Sequence, residues 1–240
     1  MEDVIRYYAQ ADTISLATAA ILLIMSILTW AVILLKHRVN HRRWNAERHF
    51  LEQFWRHGDP AQIVETLPDH APGRLARVGL EVTRYCTRSS RSSELDGAVA
   101  RALRQTLDAE NVDLEYGQTV LASISSTAPF VGLFGTVWSV HHALLALGSS
   151  GQATLDKVAG PVGEALVMTG AGLAVAIPAV IAFNLFTRAN RLRLVALDAF
   201  AYDLHTFLLT GMRPWPGASN ALVVDKLVVT TQTALAAESR

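Results

Sequence analysis

Between Asp12 and Lys36 lie 23 residues, Thr13 to Leu35, without one ionisable side chain, and fourteen of them are Ile, Leu, Met, Val or Trp. As a helix rising about 1.5 Å per residue, the run covers roughly 35 Å, enough to cross a hydrocarbon core about 30 Å thick. A cleaved signal peptide is the competing reading. Against it, Met1–Asp12 carries Glu2, Asp3 and Asp12 beside a single Arg6, and the run is long for an h-region. A basic cluster rather than a small-residue cleavage site follows. The run is expected to remain as a membrane anchor.

Two further stretches share this poverty of charge. Tyr116 to Leu155 contains no Asp, Glu, Lys or Arg, and its apolar part holds seven hydroxyls: Thr119, Ser123, Ser125, Ser126, Thr127, Thr136 and Ser139. Val158 to Thr187 has one charge, Glu164, and eleven small residues (seven Ala, four Gly) among its 30. Small residues let helix backbones approach closely in lipid, where no hydrophobic drive pulls helices together. The first span therefore reads as lipid-facing, and the second and third as inner helices packed on neighbours. A buried pair of soluble helices is the alternative for such a composition, but it does not account for the anchor beside them.

Elsewhere the chain is highly charged. Its 21 basic and 21 acidic residues balance to zero, which argues against a nucleic-acid binder driven by bulk charge. One cysteine, Cys86, excludes an internal disulfide framework and a multi-cysteine metal site. Lys36, Arg38, Arg42 and Arg43 follow the first span, and Arg188, Arg191 and Arg193 follow the third. The positive-inside rule then puts the N-terminus outside and the C-terminus in the cytoplasm. The expected order is a periplasmic N-terminus 1–12, span one 13–35, a cytoplasmic helical domain 36–118, span two 119–147, an external loop 148–157, span three 158–187 and a cytoplasmic helical region 188–240. The fold class is an all-α membrane protein with three transmembrane helices and long cytoplasmic helical extensions.

In the soluble parts, Trp44, Leu51, Phe54 and Trp55 share one helix face that stops at Gly58-Asp59-Pro60. Pro68–Gly73 reads as a loop, and Ser89–Ser93 as a second break. Ser93-Glu94-Leu95-Asp96 resembles a capping box, after which Leu95, Val99, Leu103, Leu107 and Leu114 predict one long helix running into span two. Leu192, Val195, Ala199, Tyr202 and Leu209 predict a continuation of span three as far as Arg213-Pro214. Residues 219–237 form a last amphipathic stretch.

Glu164 is the sharpest chemical signal. A carboxylate inside a bilayer costs on the order of 3 kcal/mol, so it must be protonated, paired or facing water. Thr136 and Thr169 are the next candidates, although membrane threonines often bond back to their own helix. Glu164 and Thr169 stand five residues and about 140° apart on a helix, so they do not share one face. Pro129 and Pro178 each remove a backbone hydrogen bond within a span. Gly132, Gly135, Gly170 and Gly172 read as helix-packing positions. The i,i+4 pair His37 and His41 sits among basic residues, which favours headgroup contact over a metal. His141-His142 are adjacent and cannot both face one way. No nucleophile elbow, zinc signature or phosphate loop appears, so neither an enzyme, a metal nor a cofactor is expected.

Ser125-Ser126-Thr127-Ala128-Pro129-Phe130-Val131-Gly132-Leu133-Phe134-Gly135-Thr136-Val137-Trp138 resembles the second-span signature of the MotA/TolQ/ExbB proton-channel family. The run from Gly163-Glu164 through Thr169 and Pro178 to Ala179 is similar to its third-span signature. The ExbB branch is nearer than the TolQ branch, although Gly160-Pro161-Val162-Gly163 departs from the pattern of enteric members. The resemblance implies a homopentamer in a Gram-negative inner membrane, with spans two and three around an ExbD-type single-span partner. It further implies TonB outside the ring and anionic phospholipids on Lys36, Arg38, Arg42, Arg43, Arg188 and Arg191. Thr136 and Thr169 would line the pore, with Glu164 as its acid. The implied activity is coupling of the proton motive force to outer-membrane import of siderophores, haem or vitamin B12. A TolQ-type role in the Tol-Pal system and a non-conducting scaffold stay open.

Overall fold

The computed structural model describes residues 13–55, 69–88, 94–150 and 155–214. Within them the chain forms five helices: α1 (Thr13–Phe54), α2 (Ala71–Arg88), α3 (Leu95–Glu115), α4 (Gln118–Ser150) and α5 (Leu155–Thr210). Three are long and apolar enough to cross a membrane, over Thr13–Asn40, Gln118–Leu145 and the stretch beginning at Ala159. The protein is an all-helical membrane protein with three such spans. It divides into two compact units, Met1–Lys36 with Gly117–Asn184 and His37–Tyr116 with Leu185–Arg240. Helices α1 and α5 contribute to both.

Three local expectations are corrected. The helix from Leu95 does not run on into the second span. It ends at Glu115, Tyr116 adopts an extended backbone, and Gly117 takes φ +78°, a left-handed conformation that glycine adopts without steric cost. Pro72 and Gly73 belong to the first turn of α2 rather than to a loop, because a helix's first amides have no partner within it and the missing proline N–H costs nothing there. Glu94 precedes α3 without a side-chain cap bond; Ser93, like Gly58–Pro60 and the 219–237 stretch, lies outside the described residues. At the far end, α5 stops where expected. Gly211 at φ +72° donates its N–H to the Phe207 carbonyl at 2.8 Å, a left-handed helix end.

The first unit is built on small side chains. A Cβ on Gly132 would lie 2.7 Å from the Met168 carbonyl oxygen and 3.0 Å from Gly172 Cα; one on Gly172 would lie 2.9 Å from the Ala128 carbonyl oxygen. The backbones of α4 and α5 touch there. Ala128, Ala165, Ala176, Ala179 and Ala182 are buried around this contact, which substitutes van der Waals packing for the hydrophobic drive that lipid removes. Helices α1 and α4 meet through Ser15 and Ser139, whose hydroxyl oxygens are 3.4 Å apart, while Thr18 donates to the Ser15 carbonyl at 2.8 Å.

The second unit has an ordinary hydrophobic core. Phe50 and Phe54 of α1, Leu75 and Ala76 of α2, Val99, Leu103 and Leu107 of α3, and Leu197, Phe200 and Leu204 of α5 form one buried cluster. Phe54 lies edge-on to Phe200 with ring centroids 5.2 Å apart, the geometry that aromatic quadrupoles favour. The buried face of α5 differs from the expected one. Arg193, Leu197, Phe200 and Leu204 point inward, at i, i+4, i+7 and i+11, whereas Val195 and Tyr202 are exposed. Arg193 sets this register. Its guanidinium grips Glu47 of α1 in a two-pronged pair (Nε to Oε2 at 2.8 Å, Nη2 to Oε1), with both residues almost fully buried. Burial pushes the Glu47 carboxyl up, against the opposing pull of the Arg193 hydrogen bonds and charge. On α3, Glu110 accepts from Arg74 of α2 (Nε to Oε1, 2.5 Å). Burial draws the Arg74 guanidinium down, but the Glu110 contact outweighs it and holds the group above its usual value.

Two predictions follow from these contacts. Gly132→Ala must separate two backbones and is expected to destabilise the protein by about 1–3 kcal/mol. Gly97→Ala, where a Cβ meets nothing within 4 Å, should stabilise it by about 0.4–1 kcal/mol; thermal unfolding in detergent separates the two. Arg193→Met strands a buried carboxylate and should cost about 3–5 kcal/mol, while Glu47→Met with Arg193→Met should recover most of that loss. The same melts, run as a double-mutant cycle, check it.

Candidate functional site

The candidate residues of the second and third spans lie on α4 and α5, which the Gly132–Gly172 contact fixes against each other. Gly135 belongs to the same seam: a Cβ there would lie 3.3 Å from Met168 Cβ and from Thr18 Oγ1. Gly170 does not, since a Cβ there meets nothing within 4 Å. Within one chain Gly170 packs against nothing described, unlike its three companions. Pro129 and Pro178, together with Pro161, stand inside helices that continue through them.

Glu164 is half-buried, near the start of the uncharged run of α5. Its Oε1 is enclosed and has no hydrogen-bond partner among the described residues. An enclosed carboxylate oxygen without a donor is a costly arrangement. Thr169 is exposed, so the two residues lie on different faces as their spacing requires. Thr136 is half-buried and donates its hydroxyl hydrogen to the Leu133 carbonyl at 2.7 Å. That bond leaves the oxygen's lone pairs directed outward as acceptors.

Around these residues the large apolar side chains face out. Phe130, Leu133, Phe134 and Val137 on α4 are exposed, as are Leu166, Val167, Leu173 and Ile177 on α5. Ser123, Ser126 and Thr127 are exposed too, and the Ser126 and Thr127 hydroxyls both donate to the Ser123 carbonyl of their own helix. Lone apolar spans of this kind present surface to lipid or to further helices.

The basic residues that follow the spans divide into two groups. Arg38, Arg43, Arg188 and Arg191 are exposed. Arg193, which the sequence groups with them, is buried in its pair with Glu47 and is unavailable to headgroups. Arg42 keeps its place in α1, and its side chain is outside the described residues.

Sequence reasoning passed over three polar positions. Gln118, at the start of α4, is 7% exposed and its Nε2 has no partner among the described residues. Ser15 was hidden within an apolar run, and only its meeting with Ser139 distinguishes it. His70 is buried at the start of α2 and bonded to the backbone; a histidine flanked by Asp69 and Ala71 carries no signal of that in sequence.

The fold is that of a three-span helical membrane protein with one carboxylate in its third span and a glycine seam between spans two and three. Residues 69–198, more than half of the chain, match the model of the MotA/TolQ/ExbB proton channel family. The biopolymer transport protein ExbB of Xanthomonas campestris pv. campestris is 42% identical over 165 residues, 65% of this chain and 64% of that protein. The chain thus spans less than two thirds of that relative's length. ExbB of Neisseria meningitidis is 37% identical over 211 residues, 84% of this chain and 95% of that protein. The Tol-Pal system protein TolQ of Haemophilus influenzae is 33% identical over 184 residues, 74% and 81% of the two chains. The chain belongs to the MotA/TolQ/ExbB proton channel family.

If Glu164 serves a function rather than the fold, removing its charge should not harm stability. Glu164→Gln is expected to leave the melting temperature in detergent unchanged or raise it, by up to about 1 kcal/mol of stability. A clear fall would instead assign the carboxylate a structural partner.

Proposed function

We propose that this chain is an ExbB-type proton-channel subunit of a bacterial inner membrane. It works as a homopentamer around an ExbD-type single-span partner and passes the work of proton flow to TonB for outer-membrane import of siderophores, haem or vitamin B12. The observation that carries this reading is Glu164, whose enclosed Oε1, without a partner among the described residues, stands in an otherwise uncharged span. Such a group is worth its cost only where its protonation or its field is used. The 42% and 37% identity to ExbB of Xanthomonas campestris and Neisseria meningitidis, against 33% to TolQ of Haemophilus influenzae, supports the choice of branch.

In this reading Thr136 and Thr169 supply hydroxyls to a wet pore, and Glu164 shapes or carries its proton current. Gly170, open within one chain, is free to meet a neighbouring subunit or the partner helix. Lys36, Arg38, Arg42, Arg43, Arg188 and Arg191 hold anionic phospholipid on the cytoplasmic leaflet, with the N-terminus periplasmic and the C-terminus cytoplasmic. The chain needs no metal or cofactor and catalyses no covalent reaction.

A TolQ-type role is favoured by one observation of its own: a TolQ of Pseudomonas aeruginosa is 31% identical over 86% of this chain. Rescue of iron starvation in an exbB null, against rescue of detergent sensitivity in a tolQ null, decides between them. For the channel itself, proton flux into liposomes holding the chain with its ExbD-type partner should fall at least about tenfold in Glu164→Ala, the loss that removes about 1.4 kcal/mol of barrier lowering. Thr136→Ala and Thr169→Ala should fall less. Unchanged flux in Glu164→Ala would remove Glu164 from the pathway, and no flux above that of protein-free liposomes would leave the scaffold reading.

A further inference from the structure

The second unit holds a titratable group that the channel chemistry does not use. His70 is 8% exposed and sits immediately before α2. Its Nδ1 accepts the backbone N–H of Gly73 at 3.1 Å, while its own carbonyl accepts the N–H of Arg74 at 2.9 Å. It is therefore the N-cap of α2, in the position usually given to Ser, Thr, Asp or Asn. An accepting Nδ1 carries no proton, so the neutral imidazole bears its hydrogen on Nε2. The ring packs on Phe50 of α1 with centroids 4.7 Å apart, and Phe50 in turn meets Phe200 of α5 at 6.1 Å.

Charged groups surround this cap on every element it touches. Arg74, one turn into α2, pairs with Glu110 of α3 and lies 3.4 Å from Asp69 Oδ1. On α1, Glu47 stands one turn before Phe50 and is held by Arg193 of α5, with Arg43 contributing to its field. Glu110 and Glu47 are thus both engaged by guanidinium groups, and exposed Asp69 is the one acidic neighbour next to the ring in sequence. Burial draws the His70 imidazole below its usual value and Arg74 pushes the same way; a backbone hydrogen bond and Asp69 oppose them without reversing the shift. Neutral His70 is the form that the fold accommodates.

We propose that His70 is a proton-sensitive clasp that fastens the first turn of α2 to the Phe50–Phe200 core while neutral and releases it when protonated. Protonation at Nδ1 removes the only lone pair that caps Gly73. It also sets a cation at the positive end of the α2 dipole, beside Arg74. The sign follows from the lowered folded-state value. Stability from the clasp is fully present above the ordinary histidine value of 6.5 and declines as pH falls below it, toward the folded-state value. Acidification of the compartment that holds this unit therefore loosens α2, whatever the chain's transport role.

Hydrogen–deuterium exchange of the full-length protein in lipid nanodiscs tests this at pH 7.5 and 5.5, with each rate divided by the intrinsic rate at that pH. Protection of the Gly73–Leu75 amides should fall about tenfold on acidification, with the α3 amides around Val99–Leu107 unchanged. His70→Asn, which caps without titrating, should keep the same protection at both pH values. Equal wild-type protection at both pH values overturns the proposal, as does a His70→Asn variant that loosens on acidification as much as the wild type.

Discussion

The contact of Gly132 with Gly172 is the constraint on which the membrane unit depends. Two helices in lipid gain nothing from hiding apolar side chains from water, so they must gain from touching closely. With backbone atoms of α4 and α5 in van der Waals contact, the positions of Thr136, Glu164 and Thr169 are fixed relative to one another by main chain. Side chains that swing between rotamers would fix them less well. The same seam determines what faces outward: with Ala and Gly turned in, large side chains such as Phe130, Phe134, Leu166 and Ile177 are left exposed. Small residues inside and large ones outside invert the pattern of a soluble bundle.

The second unit holds its helices by another means. Its core is aromatic and aliphatic, but a buried guanidinium–carboxylate pair, Glu47–Arg193, and a half-buried one, Arg74–Glu110, also join its helices. Pairs of this kind add little net stability over apolar residues of equal size. What they do supply is a penalty for wrong register. Rotating α5 to bury Val195 and Tyr202 would carry Arg193 outward and leave Glu47 enclosed without a cation.

These pairs also explain what could and could not be read from the sequence. The three spans, the end of α5 near Gly211 and the stripe Val99, Leu103, Leu107, Leu114 were legible, because hydrophobic runs and spacings record them directly. The inward face of α5 was not. A reading that assigns charge to the surface discards Arg193 and Glu47, and with them the i, i+4, i+7, i+11 series that Arg193 begins. The break at Tyr116–Gly117 was hidden for a related reason: the apolar stripe of α3 ends at Leu114, close enough to span two to look continuous. Glu164 stood out because charge is conspicuous in an otherwise uncharged span. Its enclosed Oε1 is a property of packing and could not be inferred from spacing.

The outward faces of α4 and α5 bear on what the proposed channel requires. Exposed Phe130, Phe134, Leu166 and Val167 suit lipid and neighbouring helices equally, since acyl chains are as apolar as leucine. The polar groups decide where water belongs. Exposed Thr169 and the outward lone pairs of Thr136 have little to gain in hydrocarbon, and Glu164 has much to lose there. In the proposed ring Thr136 and Thr169 line the pore, while Glu164, about 140° round α5 from Thr169, stands on the flank of that face. One elementary charge moving through 100 mV supplies about 2.3 kcal/mol, comparable to breaking one well-made contact in such a ring. On that scale, the α4–α5 seam is the part the proposed ring would keep while its partner helix moved against it.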